Sequence, residues 1–582
     1  MKYVIIGGVA AGASFACRLR RLDEFAEIII YEQSNFVSYA NCGLPYYVSN
    51  VINDQKQLTL QSPESLKNRF NIDVFVNSKV IKIDKDKKQI TILNLKNKNT
   101  FIDNYDKLII ATGANAIKIA DNNKRIFELK NVEDSVKLKN AIIENNYKSA
   151  IVLGGGFIGL EIAENLKLSG LDVTLIEGSN HVLANLDYEM ACFVHNEIRK
   201  NNIKLLLNSF VNKVNTLNDS VEVYLKNNKV IKGDILIQAI GVRPNSELAK
   251  DAKLDLSLKD SIKVDNLFIT SDKDIYAVGD VSAIKSIIDG EINYVPLAGI
   301  ANKEGRFLAD NLILNKSEEV KSNSTSILKV FDLSVASTGY NEEALKRKNI
   351  NYDKIYLFPN NHASYYPNYA TLNIKVLYNK DNYDILGAQI IGKEGVDKRI
   401  DILSMAIRYH INGLSLKDAE LSYAPPFGSA KDPINMIGFM LNNLKDNLVR
   451  QFYLEDLDKI IKDKNAILLD VRDDYEYKHG HIHTSINIPL DSLRKNLNKL
   501  DKNKTYYLIC YSALRSYYAY RILSQYGFDC YHLAGGFRLY NAVKKRFRFI
   551  GDNKYEWIKL WCSCDWFWQW RTYCCIKTSK IK

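Results

Sequence analysis

Two cysteines stand where a thiol could do chemistry. Cys42 lies in "SYANCGLPYY" (38–47), an aromatic and apolar setting, and no second cysteine follows it there, position 47 being Tyr47. A thiol without a neighbouring partner either exchanges with an external thiol, as a mixed disulfide or persulfide, or cycles through a sulfenic acid. Cys510 ends the apolar run "YYLIC" and opens "CYSALR", which returns to a helical pattern at Ser516. Loop amides at a helix N-terminus, with Arg515 close by, stabilise a thiolate and cradle a persulfide anion. The nine cysteines of the chain are too scattered for a disulfide framework.

Such groups need elements to hold them and an electron source to act on them. "YVIIGGVAAGASFACRLRRL" reads as strand, Gly-rich turn and helix, and the next strand, "EIIIYEQ", ends at Glu32. Gly7 serves the tight turn, Gly12 lets helix pack on strand, the helix N-terminus faces a pyrophosphate, and Glu32 faces a ribose. Val9 replaces the middle glycine. "AIVLGGGFIGLEIAENL" repeats the unit with Gly154, Gly156 and Gly159 in full G-x-G-x-x-G spacing, and "DVTLIEG" ends in Glu177. Two such sites imply two dinucleotides. A carboxylate at Glu177, with no Arg or Lys before Arg199, repels a 2'-phosphate and favours NADH over NADPH.

At 582 residues, 46% hydrophobic and 25% charged, the chain is that of a globular protein of several domains. The net charge of +12 is spread along the sequence as solvated lysine, which argues against nucleic acid and leaves room for a polyanionic small molecule. Met1 leads directly into an apolar strand without a basic n-region, and no run reaches the ~20 apolar residues of a membrane span, so a cytoplasmic protein without a membrane partner is expected.

"YDKLIIATGA" (105–114), "AIGVRPNSEL" (239–248) and "TSDKDIYAVGDVS" (270–282) resemble the closing segments of the two-dinucleotide flavoprotein disulfide reductases. The resemblance implies FAD beside NADH. It places Thr112, Gly113, Asp280, Ala298 and Gly241 among the cofactor-binding positions, with Asp280 on the flavin side. The implied plan is an FAD domain (1–118 and 243–322) interrupted by an NAD(P)H domain (119–242), then a dimerisation domain (323–445). Dithiol members carry C-x-x-x-x-C, so Cys42 with Tyr47 resembles the single-cysteine branch: coenzyme A disulfide reductases, NADH oxidases and peroxidases, and NADH-dependent persulfide reductases. The oxidases and peroxidases place a histidine in the first glycine turn to support a sulfenate, where this chain has Ala10.

By the same resemblance, Ser14, Arg18, Arg21, Ser38, Asn41 and Lys431 match coenzyme A-binding positions, the two arginines gripping phosphates. "NHASYYPNYA" (361–370) and "LSYAPPFGSAKDPIN" (421–435) match stretches that reach into a partner subunit's active site. Tyr365 and Tyr423 match tyrosines that hydrogen-bond or protonate a departing thiolate, which implies a homodimer. His362 is read as a loop histidine.

A polar segment, "LNNLKDNLVRQF" (441–452), reads as a linker. Beyond it "AILLDVRDDYEYKHGHIHTSINIPL", "YYLICYSALRSYYAYRILSQYGF" and "HLAGGF" resemble one rhodanese domain, assigned to 453–545, with Cys510 and Arg515 at its active loop. His479, His481 and His483 are read as structural and no metal site is assigned. The fold expected is α/β: two Rossmann-like domains, an α+β dimerisation domain and a C-terminal rhodanese-like α/β domain. The function implied is NADH- and FAD-dependent reduction of coenzyme A persulfide, polysulfide or coenzyme A disulfide through Cys42, with Cys510 handling sulfane sulfur. An oxidase or peroxidase using a Cys42 sulfenate, and a sulfur-relay module serving a protein partner, are the alternatives.

The tail 546–582 is anomalous: after residue 550 it holds all five Trp and four of nine Cys. The codon TGG begins GG one base later, so a shifted frame turns this run into a Gly-rich one. We read the tail as the product of a frame slip near residue 550 that has cost a further small sulfur-handling domain. Read as native, so aromatic a tail predicts aggregation or a partner.

Overall fold

The computed structural model describes residues 1–548, with side chains to residue 544. The part of the Trp- and Cys-rich tail from residue 549 on, and with it the frame-slip reading, lies outside the described residues.

Near-continuous apolar runs such as "YVII" and "AIVL" can be buried on both faces only in a parallel sheet covered by helices. That is where they fall. The first sheet orders Ile275–Ala277, Lys107–Ile110, Lys2–Ile6, Glu27–Tyr31 and Asp73–Phe75, all parallel. The second orders Lys204–Leu206, Asp172–Ile176, Ser149–Leu153, Ile235–Gln238 and Ile126–Phe127, again parallel. The chain leaves the first sheet, builds the second, and returns for Ile275–Ala277. In each sheet the Gly-rich turn follows the central strand, so both turns open at the carboxyl ends of the strands, where ligands of doubly wound sheets sit.

A third sheet is antiparallel: Ser326–Val330, Leu333–Gly339, Ile385–Gly392, Asn373–Asn379 and Tyr352–Leu357. Helices Val396–Arg408 and Pro433–Lys445 share its apolar core. A fourth sheet, parallel, orders Gln451–Phe452, Asp529–Leu533, Thr505–Ile509, Ala466–Asp470 and Ile486–Asn487. Among the described residues no helix is long and apolar enough to cross a membrane.

The polar segment 441–452 is not a free tether, which corrects the linker reading. Leu441 is buried on the helix Pro433–Lys445, and Gln451–Phe452 is the edge strand of the fourth sheet. Its Asn and Lys residues read as solvated, but Leu441, Leu444 and Phe452 are spaced to face two adjoining cores. The fourth unit is also docked on the rest of the chain. Lys354 reaches Glu455 at 2.7 Å, Arg538 Nε donates to Asn373 Oδ1 at 2.9 Å, and Tyr453 bonds Asp353. Ala534 and Leu539 share a core cluster with Tyr356.

Candidate functional site

One cavity of about 1810 Å³ joins the two Gly-rich turns. Gly7 and Gly154 begin the turns with φ +100° and +99°, a backbone region costly for any residue with a Cβ. Gly12 and Gly159 pass so close to the preceding turn that a Cβ would stand 2.0 and 1.9 Å from the carbonyl oxygens of Gly7 and Gly154. The two acidic residues act alike. Glu32 accepts from Gly8 N at 2.9 Å and Ser34 N at 2.8 Å; Glu177 accepts from Gly155 N at 2.6 Å and Ser179 N at 2.7 Å. Each carboxylate ties its own turn to the end of the second strand and lines the cavity. Turns of this shape, with carboxylates at the strand ends, fit two dinucleotides.

The segments matched to the flavin converge on the same space. Thr112, Gly113, Asp280 and Ala298 line it, and so do Gly156 and Gly241 from the second unit. Thr112 Oγ1 donates to Asn245 O at 2.7 Å, tying the end of one closing segment to the next. Burial pushes the Asp280 carboxyl up to about 6. Gly279 N donates to Glu304 on the helix Ala298–Leu314, and burial pushes that carboxyl up to about 8.

Cys42 sits on the single 3₁₀ turn Asn41–Gly43, on the cavity lining and open to solvent on its outer side. Atoms crowding its inner side, then the carboxylates of Glu161 and Asp280, raise its thiol. Glu161 lies on the helix Phe157–Leu168 of the second unit and accepts from Tyr46 OH at 3.3 Å, so the two units meet at this thiol. Tyr47, where a dithiol pair would have its second sulfur, is buried with Lys139 Nζ 3.8 Å from its ring centre.

Ser14, Ser38 and Asn41 line the cavity, and Ser14 bonds Asn302. The arginines are less free than their spacing suggests. Arg18 Nε is paired with Asp310 at 2.5 Å, and Arg21 Nε donates back to Cys17 O at 3.0 Å. Lys431 is exposed, beside the buried Asp432 that caps the helix Pro433–Lys445. Tyr365 and Tyr423 meet, hydroxyl to hydroxyl at 2.8 Å, on an exposed face that does not line the cavity of their own chain. His362 is buried, its Nδ1 3.2 Å from Ala363 O and its ring edge-on to Tyr366.

The motifs missed Lys130, Glu161 and Glu304. Lys130 lines the cavity, bonds Asn115, and is lowered by burial despite Glu128 and Glu32 nearby. Glu161 was readable, as the acidic residue directly after "GFIGL"; the other two carry no local signal.

The second thiol stands apart. Cys510 is fully buried at the end of Thr505–Ile509 and donates to Ser516 Oγ at 3.3 Å. Burial raises the thiol, while Ser516, the Ser512 amide and the Arg515 charge work the other way. Arg515 is held two-pronged by Glu476, at 2.7 and 2.8 Å. Phe537 N and Arg538 N donate to the carbonyls of Cys510 and Tyr511 at 2.8 and 2.9 Å, so the helix Gly536–Arg548 backs the loop. His481 stacks on Tyr477 and His479 lies tilted against Tyr475, each with Nδ1 bonded to that tyrosine's carbonyl.

Ala513 in this loop has φ +68°. A left-handed residue with a Cβ costs roughly 1–2 kcal/mol, and the extra unfolded-state entropy of glycine returns part of it. Ala513→Gly is expected to stabilise the fourth unit by about 0.5–1 kcal/mol, read as a higher denaturant midpoint by a near-ultraviolet signal from its tyrosines.

Comparison with known proteins gives three family matches. Residues 1–305 match the pyridine nucleotide-disulphide oxidoreductases, 325–432 the dimerisation domain of the same group, and 453–542 the rhodanese-like domain. The coenzyme A disulfide reductase of Staphylococcus epidermidis is 36% identical over 439 residues, 75% of this chain and 99% of the relative. The crystal structure of reduced Bacillus anthracis CoADR-RHD superposes with TM-score 0.91 at 43% identity, over 94% of this chain and 98% of that one. A NAD-dependent persulfide reductase from A. fulgidus gives TM-score 0.86 at 33% identity, over 93% and 100%.

Proposed function

Because the chain belongs to the pyridine nucleotide-disulphide oxidoreductases and carries a rhodanese-like domain, we propose that it reduces coenzyme A persulfide or coenzyme A disulfide with NADH, as a homodimer. The observation that carries this reading is the single thiol, Cys42, on one cavity with both dinucleotide turns, in a chain with a second thiol cradle at Cys510. Bound FAD supplies two-electron transfer between NADH and sulfur.

The Cys42 thiolate attacks the outer sulfur of R–S–SH. A bond forms from Cys42 Sγ to that sulfur, the R–S bond breaks, and R–S⁻ leaves with the electron pair. Two electrons drawn from NADH then cleave the new S–S bond, releasing hydrosulfide and restoring the Cys42 thiolate. With a disulfide R–S–S–R the same attack leaves Cys42–S–S–R, and the second product is R–S⁻. Tyr423 of a second copy donates its proton to the departing thiolate, and Tyr365 holds the resulting phenolate through their mutual hydrogen bond. Ser14, Ser38, Asn41, Arg21, Lys431 and the free nitrogens of Arg18 hold the coenzyme A arm. Glu177 favours NADH, since it already occupies the turn amides and would meet a 2'-phosphate with its own charge.

Cys510 takes sulfane sulfur from a donor as Cys510–S–SH and hands it on. The test is anaerobic NADH oxidation with coenzyme A persulfide, polysulfide and coenzyme A disulfide offered separately, with hydrosulfide measured. Faster turnover of the sulfane substrates supports the full reading. Turnover of the disulfide alone, unchanged in Cys510→Ser, would reduce the protein to a disulfide reductase carrying a separate sulfurtransferase.

A further inference from the structure

His532 has no part in the chemistry above, yet it stands directly behind the second thiol. It lies on the strand Asp529–Leu533, 3% exposed, with its backbone N–H donated to Arg450 O at 2.9 Å. Its Nδ1 is 3.5 Å from Ser516 Oγ, and the ring also bonds the backbone of Ala513. Burial holds the imidazole down at about 4, so at neutral pH it is uncharged and carries one N–H. With its hydrogen on Nδ1, the nitrogen that faces Ser516 Oγ, the neutral ring is a donor toward that hydroxyl.

Hydrogen-bond accounting around the sulfur then gives two states. With Cys510 as a thiol, its S–H donates to Ser516 Oγ, and the Ser516 hydroxyl donates to Ala513 O at 3.0 Å. With Cys510 as a thiolate or persulfide anion, the sulfur becomes an acceptor and Ser516 must turn its one proton toward it. Ser516 Oγ has then lost its donor, and Cys510, Ser516 and His532 are all buried. The Ala513 carbonyl is not stranded by the change, because it keeps Tyr517 N at 3.1 Å. The donor within reach of the vacated Ser516 lone pair is the His532 N–H. A relay from imidazole N–H to hydroxyl to anion strengthens each bond in turn.

The arginines packed around the loop are tied to carboxylates. Arg515 is held by Glu476, and Arg472 by Asp470 at 2.6 Å. The Arg515 charge, the amides of Ser512 and Ser516, and the Ser516 hydroxyl favour the anion.

We propose that His532 is a positioning residue for sulfur carried on Cys510: its ring N–H donates to Ser516 Oγ as Ser516 turns its hydroxyl onto the sulfur anion. This rests on the reading that Cys510 carries sulfane sulfur.

The experiment uses the full-length, FAD-loaded protein. Alkylation of Cys510 by iodoacetamide is followed against pH by mass spectrometry of its peptide, and sulfur loading from thiosulfate is measured on the same samples. In His532→Phe the alkylation midpoint should rise by about one pH unit, and loading should slow about tenfold. His532→Asn, which keeps an N–H donor, should recover at least half of the shift. Ser516→Ala should raise the midpoint as far as His532→Phe, and the double variant no further, since both act through one hydroxyl. A folded His532→Phe with an unmoved midpoint overturns the relay. If that variant does not fold, Ser516→Ala with an unmoved midpoint overturns it equally. If wild-type Cys510 takes no sulfur from any donor, the carrier reading fails instead, and the alkylation midpoints still decide the role of His532.

Discussion

Cys42→Ser is expected to abolish NADH-dependent reduction of disulfide and persulfide, by on the order of 10³-fold or more, with FAD content and melting temperature unchanged. The change replaces one atom on an exposed single turn and removes no hydrogen bond that holds the fold. A serine oxygen cannot accept a sulfur from R–S–SH and be regenerated by two electrons, so the covalent route closes entirely. Among the described residues no other cysteine lines the cavity that joins the two dinucleotide turns: Cys192 and Cys530 are buried elsewhere, Cys510 lies in the rhodanese-like unit, and Cys17 is half-buried on the helix Ala10–Arg20. The measurement is anaerobic thiol and hydrosulfide release, beside bleaching of the flavin by NADH. Loss of release with bleaching intact supports the lone-thiol route. Retention of release would show that sulfur meets the electrons elsewhere and would sink it. Peroxide offered in place of the sulfur substrate separates the sulfenate alternative, which requires fast peroxide turnover that Cys42→Ser removes.

Lys375→Met should destabilise the body of the protein by roughly 3–5 kcal/mol, the cost of leaving buried charge without its partner. Asp187, Glu189 and Glu342 bring oxygens within 4.8 Å of one another, an arrangement that alone suggests a cation site. The cation is Lys375 itself, fully buried, at 2.7 Å from Asp187, 2.5 Å from Glu342, and bonded to Glu189. Two of these acids come from the second dinucleotide unit and one from the antiparallel unit, so the ammonium also joins the two.

The pH dependence follows from the same contacts. Burial opposes ionisation of Glu342, but Lys375 and Lys354 outweigh it and hold the carboxyl down at about 2. A depressed carboxylate contributes stability above its unfolded value near 4.5, and that contribution is lost as the pH falls toward about 2. Wild type should therefore weaken through this acid window. Without Lys375 burial dominates, the carboxyls rise, and protonation relieves the variant instead. The stability gap between the two should be widest near neutral pH and narrow on acidification, as read by denaturant midpoints across that range. A constant gap would show that Lys375 acts through packing alone.

The sequence by itself determined the two dinucleotide units, the lone thiol and the second thiol loop. Those features are local. A turn that needs φ near +100° at Gly7, a helix that must touch its strand at Gly12, or a cysteine without a partner at Tyr47 is written in residue types a few positions apart. Packing decided what those side chains do once the chain closes. Arg18, spaced to grip phosphate, is paired with Asp310, 292 residues away. Tyr365 and Tyr423 meet across 58 residues, Lys375 gathers acids from two units, and a segment that reads as linker becomes an edge strand because its few apolar residues find two cores. His532 looks like any residue of a buried strand until the fold sets it behind Ser516. Short-range periodicity records which face of an element is apolar, whereas the partner of a buried charge or hydroxyl depends on contacts made only when distant elements pack.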